Sequence, residues 1–198
     1  MHSFLISTTL TGYMQNRFPG YLRWYRIFYN IFSLITLIAP VYLMKTIESR
    51  PVFTWQGIMQ FPRFAILLLA LILFREGAKK YDIGFFLGIK QLKTGKGSTL
   101  LDAKEMFAAT GVFGLIRHPW YSGALLLVWS FFQVYTATTV ITAVVLSIYL
   151  VTGTLLEEKK ILAEYRESYT NYKKDVSMLF PWKWFVRRLR SFFSALFL

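Results

Sequence analysis

The sequence predicts an all-α polytopic membrane protein of about four transmembrane helices, with a C-terminal transmembrane hairpin and interfacial helices. Two observations carry that expectation. The 198-residue chain is 55% hydrophobic and 19% aromatic, with a mean hydropathy of +0.43, which is more apolar side chain than one soluble core of this size can hide. Only 17% of the residues are charged, yet the formal net charge is +13, so Lys and Arg are concentrated in a few segments between long apolar runs. Those segments are expected to face anionic headgroups, which makes membrane lipids the expected partner. The same arrangement argues against nucleic acid, which is met by basic residues spread over a soluble face.

The chain contains no cysteine, which removes disulfides, Cys-ligated zinc, iron–sulfur clusters and a cysteine nucleophile. Its two histidines, His2 and His118, stand far apart with no carboxylate cluster beside them, so no metal is assigned. The N-terminus lacks a basic region followed by a clean apolar run and a small-residue cleavage site, and is not expected to be a signal peptide. Phe4 to Met14 is too short to span and is expected to lie on the surface.

Ile27 to Met44 is the first apolar run of spanning length, preceded by Arg17, Arg23 and Arg26 and followed by Lys45. Pro40, in its last turns, is expected to kink it without breaking it. The second run, Ile58 to Phe74, carries Pro62 and Arg63 near its start and ends at Arg75-Glu76-Gly77. Residues 75 to 118 form a long basic connection, holding Lys79, Lys80, Lys90, Lys93, Lys96 and Lys104 and a flexible stretch over Thr94 to Ser98. The positive-inside rule places it in the cytoplasm. Within it Tyr81 to Leu92 is apolar and aromatic on one face and is expected to be an interfacial helix.

From Trp120 the chain is apolar to Val134, and after Tyr135-Thr136 it is apolar again to Leu156. So short a connection predicts an antiparallel transmembrane hairpin, whose first arm of about 15 residues reaches only ~22 Å. The segments before Trp120 and after Leu156 must then meet on one side of the membrane. The chain beyond Leu156 is highly charged through Lys174. It passes Phe180-Pro181-Trp182 into a tail whose Trp, Phe and Leu beside three arginines read as an interfacial helix. Four spans put both termini in the cytoplasm. The expected organisation is a single membrane domain over 1–198, with N-terminal helices over 1–75, a site-bearing region over 76–182 and the interfacial helix over 183–198.

The hairpin would join Arg117-His118-Pro119-Trp120-Tyr121-Ser122-Gly123 at its entrance to Glu157-Glu158 at its exit. Arg117 and His118 offer donors to a ligand carboxylate, and Tyr121 a hydroxyl and ring face. Glu157 or Glu158 offers an acceptor for an ammonium group or ribose hydroxyls, a set that suits a zwitterion. Pro119 stands just inside a helix start, and Gly123 one turn later allows close approach of backbone or ligand. The same residues also fit a plainer reading, in which Arg117 anchors a helix at the headgroups and the glutamates lie on a solvated helix surface.

The stretch GLIRHPWYSG, followed after an apolar interval by LLEEKKILAEYRESYTNYKKDVSMLFPW, resembles the isoprenylcysteine carboxyl methyltransferase superfamily. That family's RHPxYxG element matches Arg117, His118, Pro119, Tyr121 and Gly123, and its paired glutamates match Glu157 and Glu158. Its later Y-x-x-Y and Pro match Tyr169, Tyr172 and Pro181. The likeness covers residues 80 to 182. Upstream, His2-Ser3-Phe4 and RWYRIFYNIFSLITLIAP look like the bacterial branch that includes small-thiol S-methyltransferases, whose chains usually begin with one more spanning helix before the His-Ser pair. The resemblance implies an S-adenosylmethionine-dependent methyltransferase of the bacterial inner membrane, with cofactor entering from the cytoplasm and an apolar or membrane-partitioned acceptor arriving laterally. It further implies His118, Arg117 and Glu158 as catalytic residues, and Arg117, His118, Pro119, Tyr121, Gly123, Glu157 and Glu158 as cofactor-binding residues. The acceptor is left open among an isoprenylcysteine-like carboxylate, a thiol and a lipid. A carboxylate needs no base, whereas a thiol or amine does, and His118 or a glutamate is then the candidate.

Two rival readings remain at this level. NADPH-dependent membrane reductases related to sterol reductases share the pattern, and no dinucleotide fingerprint bears on them. A non-catalytic scaffold or transporter subunit would be marked by charge near mid-bilayer, which the spanning runs lack. Nothing in the helix faces fixes an oligomeric state.

Overall fold

A computed structural model of the chain describes residues 13–14, 16–80, 84, 87–94 and 107–196. In chain order its elements are α1 (Leu22–Thr46), β1 (Pro51–Thr54), α2 (Gln60–Ala78), α3 (Ile89–Thr94), α4 (Pro119–Ser130), β2 (Val134–Thr136), α5 (Ala137–Glu164), α6 (Arg166–Asp175) and α7 (Trp182–Leu196). The chain divides into two compact units, one formed by 1–48 with 81–100 and the other by 49–80 with 101–198.

In the first unit α1 contains the whole of the expected 27–44 run. Its side meets the turn before α3, where Asn30 Nδ2 donates to the Leu87 carbonyl at 3.3 Å. Gly88 adopts φ +88°, and a Cβ there would press on Ile27 Cγ1 at 2.9 Å. Of the interfacial helix expected over Tyr81 to Leu92, residues 81–83, 85 and 86 lie outside the described residues. The described remainder is this turn and α3, which continues to Thr94. His2-Ser3-Phe4, most of Phe4 to Met14, and residues 95–106 with Lys96 and Lys104 also lie outside.

The second unit is built on α2, α4 and α5. The stretch Gly57–Ala78 and helix α5 are long and apolar enough to cross a membrane, and only 11% of the apolar window of each is buried inside the protein. A soluble core helix would hide that surface, so the fold is that of a membrane protein. Pro62 lies in the first turn of α2, where its missing N–H leaves no internal bond unmade. Trp120 Nε1 donates to the Phe74 carbonyl at 3.0 Å, and Arg63 at the opposite end of α2 reaches the last carbonyls of α4. The two helices therefore run antiparallel in close contact.

Two expectations need correction. The first hairpin arm does not run helically to Val134, because α4 stops after 12 residues at Ser130, about 18 Å of helix. The sequence from Phe131 to Val134 carries no breaker. What ends the helix is a set of tertiary partners for its terminal carbonyls: Arg63 Nε donates to Ser130 O at 2.9 Å, Arg63 Nη2 to Phe131 O at 2.9 Å and Tyr135 Oη to Val128 O at 2.8 Å. The fold is also not purely helical. β1 and β2 pair antiparallel with Phe53 opposite Tyr135 and Thr54 opposite Val134, and a bulge separates Phe53 from the Pro51–Thr136 pair. Their β-branched and aromatic residues suit an extended cross-strand arrangement. At four and three residues, neither strand is long enough to show a readable period.

At the far end α2 and α4 meet through glycines. A Cβ on Gly123 would stand 3.2 Å from the Ala70 carbonyl oxygen and 3.4 Å from Leu73 Cβ, and one on Gly77 would overlap the Trp120 ring. Gly→Ala inside a helix ordinarily stabilises by ~0.5–1 kcal/mol. At Gly77 the sign should reverse, with overpacking costing ~1–3 kcal/mol. Gly153→Ala, whose Cβ meets only Tyr121 at 3.6 Å, should keep the ordinary sign. Thermal melts of the two variants in detergent test this, and a Gly77→Ala melt at or above wild type would refute the packing.

Candidate functional site

The site begins with a helix start. Pro119 is the first residue of α4, fully buried, and its ring pre-sets the helical φ where no N–H is needed. Just before it, Ile116 pairs with Ser177 as an isolated parallel bridge. Arg117 N donates to Ser177 O at 2.8 Å and His118 N to Met178 O at 3.2 Å. Ser122 Oγ adds a bond to Leu179 O at 2.7 Å. The segment after α6 is thereby stitched to the entrance of the hairpin.

Helix α5 brings the second half. Its 28 residues extend ~42 Å, longer than the ~30 Å hydrocarbon layer, so the turn containing Glu157 and Glu158 emerges where the apolar stretch ends. Glu158 is only 3% exposed. It accepts from Arg117 Nε at 2.8 Å and again from Arg117 Nη2. Its other oxygen lies 2.9 Å from Lys173 Nζ of α6. Arg117 completes its own set by donating Nη1 to the Val176 carbonyl. The hairpin therefore closes as expected, with the residues before Trp120 and after Leu156 side by side.

Two buried polar atoms in this cluster make no well-aligned hydrogen bond. His118 Nε2 lies 3.4 Å from Glu158 Oε1, within ion-pair range for an imidazolium, but is not aligned as a hydrogen bond. The Tyr169 hydroxyl, on a side chain only 2% exposed, lies beside Glu158 and Arg117 without good hydrogen-bond geometry to either. Burial pushes the Tyr169 hydroxyl well above the ordinary tyrosine range, and the Glu158 carboxylate adds to the rise. It is thus a neutral donor at any working pH. Tyr169 is held by rings: Phe107 lies 5.3 Å from it and 5.4 Å from Tyr165, and Tyr172, whose hydroxyl donates to Phe113 O at 2.7 Å, lies 6.2 Å away.

Of the sequence-derived site residues, the structure gathers Arg117, His118, Pro119 and Glu158 in one cluster. Tyr121 lies edge-on to His118, ring centroids 5.8 Å apart, and its ring faces Gly153 of α5. Gly123 faces α2. Glu157, one residue from Glu158 and on another helix face, is half-buried and takes no part in the Arg117 and Lys173 contacts. Lys173 is a member that the sequence did not single out. It lies in a run of charge that reads as solvated surface, and only the fold of α6 against α5 turns it inward.

A buried carboxylate holding a buried guanidinium should dominate the stability of this region. Glu158→Ala leaves Arg117 uncompensated and should cost ~3–5 kcal/mol. Lys173→Ala removes a side chain 45% exposed and should cost no more than ~1 kcal/mol. Denaturant titration of both variants in detergent checks the order, and equal losses would contradict it.

Comparison with known proteins follows from this geometry. The sequence profile of the family described as protein of unknown function (DUF1295) matches residues 11–176. A methanethiol S-methyltransferase of Pseudomonas deceptionensis is 37% identical over 70 residues, 35% of this chain and 26% of that protein. Methanethiol S-methyltransferase 1 of Bradyrhizobium diazoefficiens is 36% identical over 72 residues, 36% and 25% of the two chains. A methanethiol S-methyltransferase of Crocosphaera subtropica is 35% identical over 75 residues, 38% and 29%. The matched part is thus little more than a quarter of the length of these curated relatives. No solved structure matches the chain.

Proposed function

The chain belongs to the DUF1295 family, its methanethiol S-methyltransferase relatives fall in the isoprenylcysteine carboxyl methyltransferase-like superfamily, and from this we propose that it is a membrane methyltransferase using S-adenosylmethionine and accepting a small thiol. The observation that carries the reading is a pair of buried polar atoms beside the Arg117–Glu158 pair, His118 Nε2 and Tyr169 Oη, neither of which makes a well-aligned hydrogen bond. Buried polar groups are nearly always satisfied, and two orphans in one cluster point to a polar ligand. A zwitterionic cofactor fits them.

In this reading Arg117, His118 and the Tyr169 hydroxyl hold the methionyl carboxylate and nearby polar atoms. Glu158, with Glu157 at its edge, faces the ammonium group or the ribose hydroxyls. Pro119 and Tyr121 shape the wall, and Gly123 acts from behind, by letting α4 approach α2. Bound S-adenosylmethionine supplies an electrophilic methyl carbon on a sulfonium sulfur. The residues contribute alignment of donor and acceptor, exclusion of water by the Phe107, Tyr165 and Tyr169 rings, and cation-stabilising aromatic faces. A thiol acceptor must lose its proton, and the candidate base is His118 or a glutamate, with Arg117 and the Tyr169 hydroxyl then left to hold the carboxylate. The full topology of four spans, with α1, α2, the short α4 arm and α5 and with both termini in the cytoplasm of a bacterial inner-membrane protein, belongs to the same proposal, as does the division into 1–75, 76–182 and 183–198. The thiol is favoured over an isoprenylcysteine-like carboxylate or a lipid by the names of the relatives.

The test is calorimetric titration of the detergent-purified chain with S-adenosylmethionine, with NADPH as control. We expect saturable binding of the first alone, lost in His118→Ala and Glu158→Ala. Tyr169→Phe removes only a hydroxyl that makes no well-aligned hydrogen bond within the protein. It should leave thermal stability unchanged or slightly raised while weakening binding about tenfold, the worth of one hydrogen bond of ~1.4 kcal/mol. Absence of binding by well-folded protein would sink the cofactor assignment, and binding without methyl transfer to methanethiol would confine the failure to the acceptor.

A further inference from the structure

Helix α7 carries an apolar arc left largely uncovered by the described residues. On a helical wheel Trp182, Phe185, Val186, Leu189, Phe192 and Phe193 fall on one side. Leu189 is 57% exposed and Phe192 63%. Apart from Phe180, which stacks on Phe185 with ring centroids 6.0 Å apart, no described helix runs along that arc. Arg188 and Arg190 flank it on its two edges, Lys183 and Arg187 lie further round, and the helix contains no acidic residue. Among the described residues the one carboxylate that reaches it is Asp175, 3.7 Å from Arg187.

The start of α7 is fixed. Lys183 N donates to Ser177 Oγ at 2.9 Å, and Lys183 Nζ donates to the carbonyls of Lys173 at 2.5 Å and Lys174 at 2.9 Å. Ser177 is in turn bonded to Arg117 at the entrance of α4, and that entrance abuts the end of α2, where Arg75, Glu76 and Lys79 mark the close of an apolar stretch. The first turn of α7 is therefore held where hydrocarbon gives way to headgroups. A helix at that level needs a partner with an apolar interior and a negatively charged rim. We propose that α7 lies flat on an anionic bilayer surface, its Trp–Phe–Leu arc in the acyl boundary and Arg188 and Arg190 on lipid phosphates.

The chain has no cysteine, so Leu189→Cys gives a single site for a nitroxide spin label in the full-length protein. The labelled protein is reconstituted into vesicles of phosphatidylcholine alone or mixed with phosphatidylglycerol, and collisions with oxygen and with a water-soluble nickel chelate are compared. With phosphatidylglycerol present the label should meet oxygen and be shielded from nickel. That pattern should fade in phosphatidylcholine alone, in high salt and in an Arg188→Gln/Arg190→Gln variant of unchanged melting temperature. The docked-to-undocked ratio should fall about thirtyfold in that variant, equivalent to ~1 kcal/mol for each basic residue. Nickel access equal in both lipids would overturn the proposal. So would shielding from both reagents, which would mean a protein surface covers the arc, and so would oxygen access that ignores phosphatidylglycerol, which would remove the anionic partner.

Discussion

Taking a guanidinium and a carboxylate out of water costs several kcal/mol for each ion, and their mutual attraction offsets this only when the remaining donors and lone pairs are also met. Arg117 and Glu158 satisfy that condition almost completely. Three nitrogens of Arg117 are engaged, two by Glu158 and one by the Val176 carbonyl, and the second oxygen of Glu158 faces Lys173. Each partner comes from a different element: the entrance of α4, the exit of α5, the body of α6 and the segment after α6. The pair is fully satisfied only when all four are in place. Once formed it fixes the register of the α4–α5 hairpin, the docking of α6 on α5 and the path of 176–179.

That path links the site to both flanks of the unit. The 116–118 and 177–178 segments share backbone hydrogen bonds, and Ser177 then passes the constraint to Lys183 at the start of α7. On the other side Trp120 and Gly123 pass it to α2, where Gly77 and the Ala70 carbonyl leave room for them. The orphaned atoms His118 Nε2 and Tyr169 Oη sit inside this frame. Both side chains are buried, so a ligand polar atom that met either would add a hydrogen bond the free protein makes poorly.

The parts legible in sequence were those with a long signal. Apolar runs of spanning length are visible without any neighbour, and a hairpin with so short a connection forces Arg117 and Glu158 onto one side. What was hidden had its cause in another segment. The two strands are too short to show a period, and Gly77 reads as a helix end although its role is to admit Trp120. Lys173 reads as surface charge, and Tyr169 entered only through the Y-x-x-Y resemblance, since its place beside Glu158 depends on how α6 packs. The paired glutamates are equivalent in sequence, and the 100° step of the helix separates them, burying one against Arg117 and leaving the other at the edge.

The early end of α4 shows the same dependence at the opposite end of the unit. Twelve helical residues, about 18 Å, fall short of a ~30 Å hydrocarbon layer. Unpaired carbonyls at the end of such a helix would face lipid, where each costs several kcal/mol. Arg63 and Tyr135 supply the donors, and the β1–β2 ribbon then carries the chain onward with its inward backbone groups paired. Arg63 is thus a charge inside an apolar run that has a structural duty: it lets α4 stop short. A full-length helix would need neither the guanidinium nor the ribbon. Both follow from an α4 of only 12 residues, whose last carbonyls are closed by Arg63 and Tyr135 and whose start is held by the Arg117–Glu158 frame.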